Sequence, residues 1–298
     1  MYQQFDLQLD PALYSLDAEE KAFFRALTGI NNDNELKAHV IAVQKKAFEV
    51  YTHPCIRTFD FAWLKMSRLP AYGNLLAMAQ ERPDPILLDV GCCLGTDVRR
   101  AVVDGFPVGN VVATDISQAL WDLGHELFRS SPAHLPFRFV RGNVFDPAFL
   151  TPALPLPTSP TVTPALPAQR LTSLAPLQGR VSAIYAGAFF HLFSFAHQEH
   201  LARLLAGLLA PAPGSLIFGA HGGRPTPSVW APAPGASMDC HAPDSWRALW
   251  VRVFGEAGVR VAVEAHLRTT ERGGRDFFGT WPGNAQPFHV LEWSVTRL

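Results

Sequence analysis

A turn of small residues joins two apolar runs in the stretch LLDVGCCLGTDVRRAVVDGFPVGNVVATDIS, which spans residues 87–117. The first run carries Asp89 and leads into Gly91 and Gly95, and the second run ends in Asp115. Glycines between a strand and a helix let the backbone bend sharply and bring its amide groups close to a ligand. We therefore expect a strand, a turn, a helix and a second, parallel strand, with both acids at one edge of the sheet.

The spacing of this turn narrows the choice of ligand. It has the form D-x-G-x-x-x-G, whereas the dinucleotide fingerprint is G-x-G-x-x-G. A carboxylate at Asp89 repels a pyrophosphate but tolerates an ammonium group, and Asp115 is placed to accept hydrogen bonds from ribose hydroxyls. The two acids together predict a nucleoside that is not anionic at its 5′ end. S-adenosylmethionine has these properties.

Short β-type runs alternate with helix-like segments after residue 85. The predicted strands lie at 86–90, 111–114, 137–140, 181–186, 215–220, 260–266 and 288–296, and the predicted helices at 96–103, 118–129, 196–209 and 244–256. Such alternation predicts an α/β fold with a mostly parallel sheet that is covered on both faces, and an antiparallel pair formed by the last two strands at its edge. Thr96 and Asp97 are predicted to cap the helix that follows the turn.

Residues 1–85 differ from this pattern, because helical spacing dominates there, with predicted helices at 34–51 and 72–80. We therefore divide the chain into a helical N-terminal extension or lid at 1–85 and a ligand-binding domain at 86–298. The segment 151–178 carries seven prolines and is predicted to be an irregular insertion in that domain. Residues 221–238, also rich in proline, are predicted to be an irregular loop that either lines the pocket or is a plain surface connection.

Composition limits the classes of partner. A formal net charge of -1 over 298 residues provides no basic field for nucleic acid. No apolar run is long enough to span a membrane and no signal peptide is evident, so we expect a soluble cytoplasmic protein without a membrane partner. The four cysteines, Cys55, Cys92, Cys93 and Cys240, have neither the number nor the spacing of a disulfide framework or a zinc site, so we expect no metal.

Five phrases in the chain resemble the class I S-adenosylmethionine-dependent methyltransferases, and more narrowly those of fungal secondary metabolism in meroterpenoid pathways. They are HPCIRTFDFAWLKMSRLPAY at His53, LLDVGCCLGTDVRRAVVDGFP at Leu87, ALWDLGHELFR at Ala119, FHLFSF at Phe190 and SMDCHAPDSWRALW at Ser237. The resemblance implies a Rossmann-like, seven-stranded, mostly parallel sheet with helices on both faces and a helical N-terminal cap. The proline-rich insertion departs from that group.

The resemblance also implies a role for individual residues at the cofactor. Asp89, Gly91 and Gly95 would shape the pocket for the methionine part, Asp115 would hold the ribose, and Ile116 would pack on the adenine. An acid usually follows the third strand, but here Asn143 stands there, followed by Val144, and its carbonyl oxygen can still accept a hydrogen bond from the adenine amino group. Cys93 replaces the middle glycine of the broader superfamily.

Candidates for the acceptor side lie in three places. Phe190 and His191 follow the fourth strand, and His191 is the candidate catalytic residue, either as a proton acceptor or as a histidine that only binds a loop carbonyl. Tyr51, Arg57 and Trp63 lie in the extension, where Arg57 could pair with an acceptor carboxylate or with a backbone carbonyl, and the aromatic residues could form a cage or a core. His221, at the end of the fifth strand, could also reach the pocket.

We therefore expect a methyltransferase that acts on an oxygen, carboxylate or hydroxyl, of a small apolar natural product such as a terpenoid or a polyketide-terpenoid. C-methylation or a cofactor-assisted cyclisation on the same scaffold is the close alternative. A nicotinamide-dependent oxidoreductase and a non-catalytic binding protein are the alternatives from other classes. Whether the protein forms a homodimer is left open.

Overall fold

The computed structural model describes residues 7–133, 135–157, 170–233, 236–270 and 288–298. The described strands are, in chain order, β1 Leu87–Val90, β2 Val111–Asp115, β3 Arg138–Arg141, β4 Ala183–Tyr185, β5 Leu216–Gly223, β6 Ser228–Ala233, β7 Ala236–Cys240, β8 Val261–Thr270 and β9 Phe288–Arg297. Seven of them form one sheet in the order β3-β2-β1-β4-β5-β9-β8, and β6 and β7 form a separate hairpin.

The first five strands of the sheet are parallel, and β9 pairs antiparallel with both β5 and β8. The chain starts in the middle of the sheet at β1, moves outward to β3, and returns to β4 on the other side of β1. The order of strands therefore reverses at β1, and the carboxyl ends of β1 and β4 form the switch point at which open α/β sheets bind their ligands.

Helices cover both faces of the sheet. The described helices are α1 Ala18–Thr28, α2 Asp33–Val50, α3 Pro54–Arg57, α4 Tyr72–Glu81, α5 Thr96–Val103, α6 Gln118–Leu127, α7 Phe195–Leu208 and α8 Pro243–Gly255. Side chains of β1 alternate between the two cores: Leu88 packs with α7 and α8, and Leu87 packs with α4 and α5. This two-sided burial explains why the strand reads as an unbroken apolar run. The predicted Rossmann-like α/β fold is confirmed.

The N-terminal helices form a further layer outside α5 and α6. Apolar residues of α1 and α2, among them Phe24, Val40 and Val43, share a core with Leu120 and Phe128 of the sheet domain. An aspartate capping box at Asp17 begins α1, and Asn32 caps α2 through hydrogen bonds to two backbone amides. The extension is thus helical as predicted, and it packs directly on the helix that follows the second strand.

The two segments rich in proline differ in structure. Residues 221–238 were predicted to be irregular, which is wrong: β5 continues to Gly223, and β6 and β7 form a hairpin. The proline-rich segment is irregular where the structure describes it, at 151–157 and 170–178, apart from one 3-10 turn at Ala175–Leu177. Its central part, 158–169, lies outside the described residues. Within the described part of the chain, no helix is both long and apolar enough to cross a membrane.

Candidate active site

The turn after β1 depends on two glycines in the left-handed region. Gly91 has φ 76° and Gly95 has φ 72°. A Cβ atom on Gly91 would lie 2.5 Å from Cδ2 of Phe189, and one on Gly95 would lie 2.6 Å from the Trp121 ring. Both positions therefore require glycine for two reasons, the backbone conformation and the close approach of an aromatic side chain.

Asp115 is fixed to this turn by backbone amides. Its Oδ2 accepts a hydrogen bond from the N–H of Cys93 at 3.0 Å, and its Oδ1 accepts one from the N–H of Ser117, also at 3.0 Å. Cys93 itself adopts φ 53°, in the left-handed region that favours glycine. Burial raises the pKa of Asp115, while these amides oppose the rise. The side chain is thus held in a single orientation at the edge of the sheet.

Asp89 is the buried acid at the centre of the site. Its side chain is 2% exposed and makes no hydrogen bond with the residues that the structure describes. Burial raises the pKa of Asp89 well above its ordinary value, the carboxylate of Asp97 adds to the rise, and the ammonium of Lys65 opposes it. A buried carboxyl that lacks internal donors is suited to a cationic ligand, because such a ligand would supply both the charge and the N–H groups.

The extension is tied to the turn through the first residues of α5. Oδ1 of Asp97 accepts hydrogen bonds from the backbone N–H groups of Lys65 and Met66, at 2.9 and 2.8 Å. The Thr96 hydroxyl donates to the backbone carbonyl of Phe61. The prediction that Thr96 and Asp97 cap α5 is wrong, because the N-cap residue of this helix is Gly95. The side chains of Thr96 and Asp97 instead bind the extension.

A pair of histidines lies where the extension meets the end of β4. Tyr51 stacks on the His53 ring with 4.9 Å between centroids. His53 is close enough to His191 to affect its titration: burial, with a smaller contribution from His53, lowers the pKa of His191 to about 3. Burial also lowers the pKa of His53 to about 4. Both rings are therefore neutral at physiological pH.

Two other candidates of the extension make structural contacts. Nε of Arg57 donates to the backbone carbonyl of Gln8 at 2.8 Å. The indole N–H of Trp63 donates to the backbone carbonyl of Ser15 at 3.0 Å, and the ring belongs to the core beneath the extension. Arg57 thus binds a backbone carbonyl, the alternative to pairing with an acceptor carboxylate. Trp63 belongs to a core, the alternative to an aromatic cage.

Phe190 and His221 do not occupy the predicted substrate side. Phe190 is fully buried and packs edge to face on Trp246 and Trp293 at 4.9 and 5.6 Å. His221 is also fully buried, and its Nδ1 accepts a hydrogen bond from the Trp293 indole at 3.0 Å. The alternation of side chains along β4 does not continue to these residues, because Ala188 adopts φ 52° and a 3-10 turn starts at Phe190. Phe189, not Phe190, therefore lies against the glycine turn.

The candidates for the adenine side lie at the ends of β2 and β3. Ile116 is 39% exposed, and Val144 is buried in the core. Oδ1 of Asn143 already accepts a hydrogen bond from the N–H of Phe145 at 3.0 Å. Its oxygen keeps a second lone pair for the adenine amino group, and its amide NH₂ group, which makes no hydrogen bond with the described residues, could face an adenine ring nitrogen.

An aromatic row that the sequence did not predict connects this side with the glycine turn. Phe145 contacts Phe193 with 4.9 Å between ring centroids, and Phe193 contacts Phe189 at 5.2 Å. Phe189 in turn covers Gly91. The repeated phenylalanines of residues 189–195 were the available signal, but only the direction of the 3-10 turn decides which of them face the site.

The residues that the sequence brought to this edge fit S-adenosylmethionine. Asp89 can accept hydrogen bonds from an ammonium group, and Asp115 has lone pairs left for ribose hydroxyls. Beside them, Phe189 packs so closely on the turn that only glycine fits at position 91. In the described ranges, no group of three or more His, Cys, Asp or Glu side chains is arranged to hold a metal ion.

Comparisons with known proteins find methyltransferases. A family profile described as "Meroterpenoid methyltransferase N-terminal domain" matches residues 8–62. O-methyltransferase phiE from Fungal sp. is 31% identical over 74% of this chain and 66% of its own length, and O-methyltransferase atr3 from Stereocaulon alpinum is 31% identical over 80% and 62%. The chain thus spans just under two thirds of the lengths of these relatives.

Further similar proteins include the Asnovolin E/Chermesin D methyltransferase nvfJ from Aspergillus novofumigatus, which is 27% identical over 77% of this chain and 74% of its own length. Among solved structures, the 1,6-didemethyltoxoflavin-N1-methyltransferase of Burkholderia thailandensis has 15% identity and a TM-score of 0.47, covering 87% of this chain and 89% of that one. The chain is therefore similar to the methyltransferases of fungal secondary metabolism.

Proposed function

We propose that this chain is an S-adenosylmethionine-dependent methyltransferase that acts on an oxygen of a small, apolar natural product. The observation that carries the proposal is the position of two acids at the ends of neighbouring strands, Asp89 on β1 and Asp115 on β2, around a turn that only glycine can form. This pair matches the two polar ends of the cofactor, an amino acid and a ribose.

Each part of the cofactor has residues of matching chemistry. The Asp89 carboxylate accepts hydrogen bonds from the ammonium, Asp115 accepts from the ribose hydroxyls, and Ile116 and the Asn143 amide contact the adenine. Bound there, S-adenosylmethionine supplies an electrophilic methyl group on a sulfonium. The chain's own contribution is then to place an acceptor oxygen in line with that methyl and to exclude water.

The histidine next to the site favours a carboxylate as the acceptor. The pKa of His191 is lowered to about 3, so its ring is a poor proton acceptor for a hydroxyl or a carbon acid. A carboxylate acceptor is already ionised and requires no base. We propose that the neutral ring of His191 donates a hydrogen bond that orients the acceptor carboxylate, with the stacked Tyr51 and His53 forming the adjoining wall.

The names of the relatives support the same reaction class. Both phiE and atr3 are named O-methyltransferases, and nvfJ is named for two natural products, Asnovolin E and Chermesin D. By that likeness we propose a terpenoid or polyketide-terpenoid acid as the acceptor. C-methylation remains the alternative, because it uses the same cofactor and the same fold.

Binding of the cofactor product tests the first half of the proposal. Calorimetric titration with S-adenosylhomocysteine should show saturable binding at one site, and NADH should show none. Binding of NADH in place of S-adenosylhomocysteine would support an oxidoreductase. Lack of binding by either ligand would support the non-catalytic alternative.

The acceptor atom can be assigned by the stability of the product. The protein is incubated with methyl-labelled S-adenosylmethionine and a panel of terpenoid and polyketide-terpenoid acids, each paired with its reduced alcohol. A methyl ester releases labelled methanol in mild alkali, whereas an ether or a C-methyl product keeps its label. Retention of the label in the product would refute carboxylate methylation.

Three broader expectations remain proposals as well. They are the division of the chain at residue 85, the absence of a nucleic-acid partner, and a cytoplasmic location. Electrophoretic shift with tRNA and duplex DNA tests the absence of a nucleic-acid partner. Light scattering of the purified protein addresses a separate open question, whether the protein forms a homodimer. Microscopy of a fluorescent fusion addresses the third expectation.

A further inference from the structure

Lys65 lies beside the glycine turn although it belongs to the extension. Its backbone N–H donates to Oδ1 of Asp97 at 2.9 Å, and the next N–H, that of Met66, donates to the same oxygen at 2.8 Å. Asp97 is the second residue of α5, which starts directly after Gly95. Because two hydrogen bonds fix this backbone to the buried carboxylate, the root of the Lys65 side chain has a defined position relative to the turn.

The ammonium of Lys65 interacts electrostatically with several acids. It affects the titration of Asp89 and of Asp60, two carboxyls that are 2% and 1% exposed. Burial alone would lower the pKa of Lys65, but the carboxylates of Asp97 and Asp60 raise it above its ordinary value, so the side chain stays charged. Among the described residues, Lys65 is the only cation that acts on both Asp60 and Asp89 in this way.

The other positive side chain close to the turn is committed elsewhere. The Arg99 guanidinium is buried, donates to the carbonyls of Leu94 and Gly95 at 2.8 and 2.9 Å, and lies over the Trp121 ring. It is therefore already engaged by the turn backbone and an aromatic ring. An amino acid bound at Asp89 would present a carboxylate as well as an ammonium, and among the described residues Lys65 is the cation whose charge lowers the pKa of Asp89.

We propose that Lys65 binds the α-carboxylate of the amino-acid part of the cofactor, while Asp89 binds its ammonium. This inference rests on the proposed function and assigns one further residue within it. Lys65 and Asp89 then form a complementary pair for a zwitterion, which distinguishes S-adenosylmethionine from adenosine derivatives that lack the amino acid. The extension, through Lys65, thus contributes directly to cofactor recognition.

The test compares two ligands that differ only in the carboxylate. One is S-adenosylhomocysteine, and the other is its decarboxylated analogue, which keeps the amine, the thioether and the nucleoside. The variants are Lys65→Met, which keeps an apolar stem, and Lys65→Arg, which keeps the charge. Lys46→Met is the matched control, because Lys46 is an exposed lysine of α2 that pairs with Glu126 on the protein surface. Affinities are measured by calorimetry, and thermal unfolding verifies that each variant is folded.

We expect Lys65→Met to weaken binding of S-adenosylhomocysteine about 10- to 100-fold, the range for a lost hydrogen bond to a charged group. Binding of the decarboxylated analogue should change less than about threefold, and the control should bind both ligands as the wild type does. Lys65→Arg should recover most of the loss. Failure of the wild type to bind either ligand would refute the proposed function itself. Wild-type binding with equal losses for both ligands, or with none, would refute only the role of Lys65.

Discussion

The contact between Gly91 and Phe189 gives a quantitative prediction. Gly91→Ala places a methyl group at φ 76°, where the left-handed conformation costs about 1–2 kcal/mol. The same methyl would lie 2.5 Å from Cδ2 of Phe189, and such overpacking costs a further 1–3 kcal/mol, roughly. We therefore expect Gly91→Ala to lower the free energy of unfolding by about 2–5 kcal/mol.

Gly29 provides the matched control, because it has φ 71° but nothing within 4 Å of an added Cβ. Gly29→Ala should lose only the conformational part, about 1–2 kcal/mol. Urea denaturation measures both variants. In a Phe189→Ala background the clash is absent, so the additional cost of Gly91→Ala should fall to that of the control. Equal costs for the two glycines in the wild-type background would refute the proposed contact.

Three further outcomes are expected. Asp115→Ala should weaken binding of S-adenosylhomocysteine by about 1–3 kcal/mol, and calorimetry that gives the wild-type affinity would contradict a ribose role. Burial raises the pKa of Asp60 to about 7, against the opposing charge of Lys65, so Asp60 stabilises the fold below its unfolded pKa and loses this contribution as pH rises through 7. Asp60→Asn should therefore gain stability relative to the wild type between pH 5 and 7, by at most about 1.4 kcal/mol per pH unit in urea titrations, and a constant difference would contradict the shift. Arg57→Ala should lower stability by about 1 kcal/mol and leave the KM of the acceptor unchanged; a tenfold rise in KM would restore its role as an acceptor-binding residue.

The sequence predicted the sheet well because its signals are local. Each parallel strand is a short apolar run next to a helical pattern, and their order follows from the alternation along the chain. The hairpin of β6 and β7 was missed because it is a separate two-stranded ribbon, so each strand has an unpaired edge. Such an edge tolerates proline, and Pro232 lies within β6. Proline density alone therefore gave the wrong prediction there.

The residues of the site also fall into those that local sequence signals predict and those that they do not. Asp89, Gly91, Gly95 and Asp115 come together because one βαβ unit fixes them, and their spacing along the chain defines that unit. The choice between Phe189 and Phe190 depends on one backbone angle, at Ala188, that no residue pattern specifies. Lys65 reaches the turn through a hydrogen bond to a residue 32 positions away. Contacts of this second kind are set by packing between elements.

The hydrogen bonds of Asp97 bear on whether the first 85 residues are dispensable. One oxygen of this side chain receives the two amides from the extension, and the other receives the Tyr185 hydroxyl of β4 at 3.3 Å. A truncated fragment that starts at Ile86 would strip two of three donors from an anion that is 7% exposed. We therefore expect the terminal helices and the sheet to unfold together, and expression of the remainder alone to yield an unstable polypeptide.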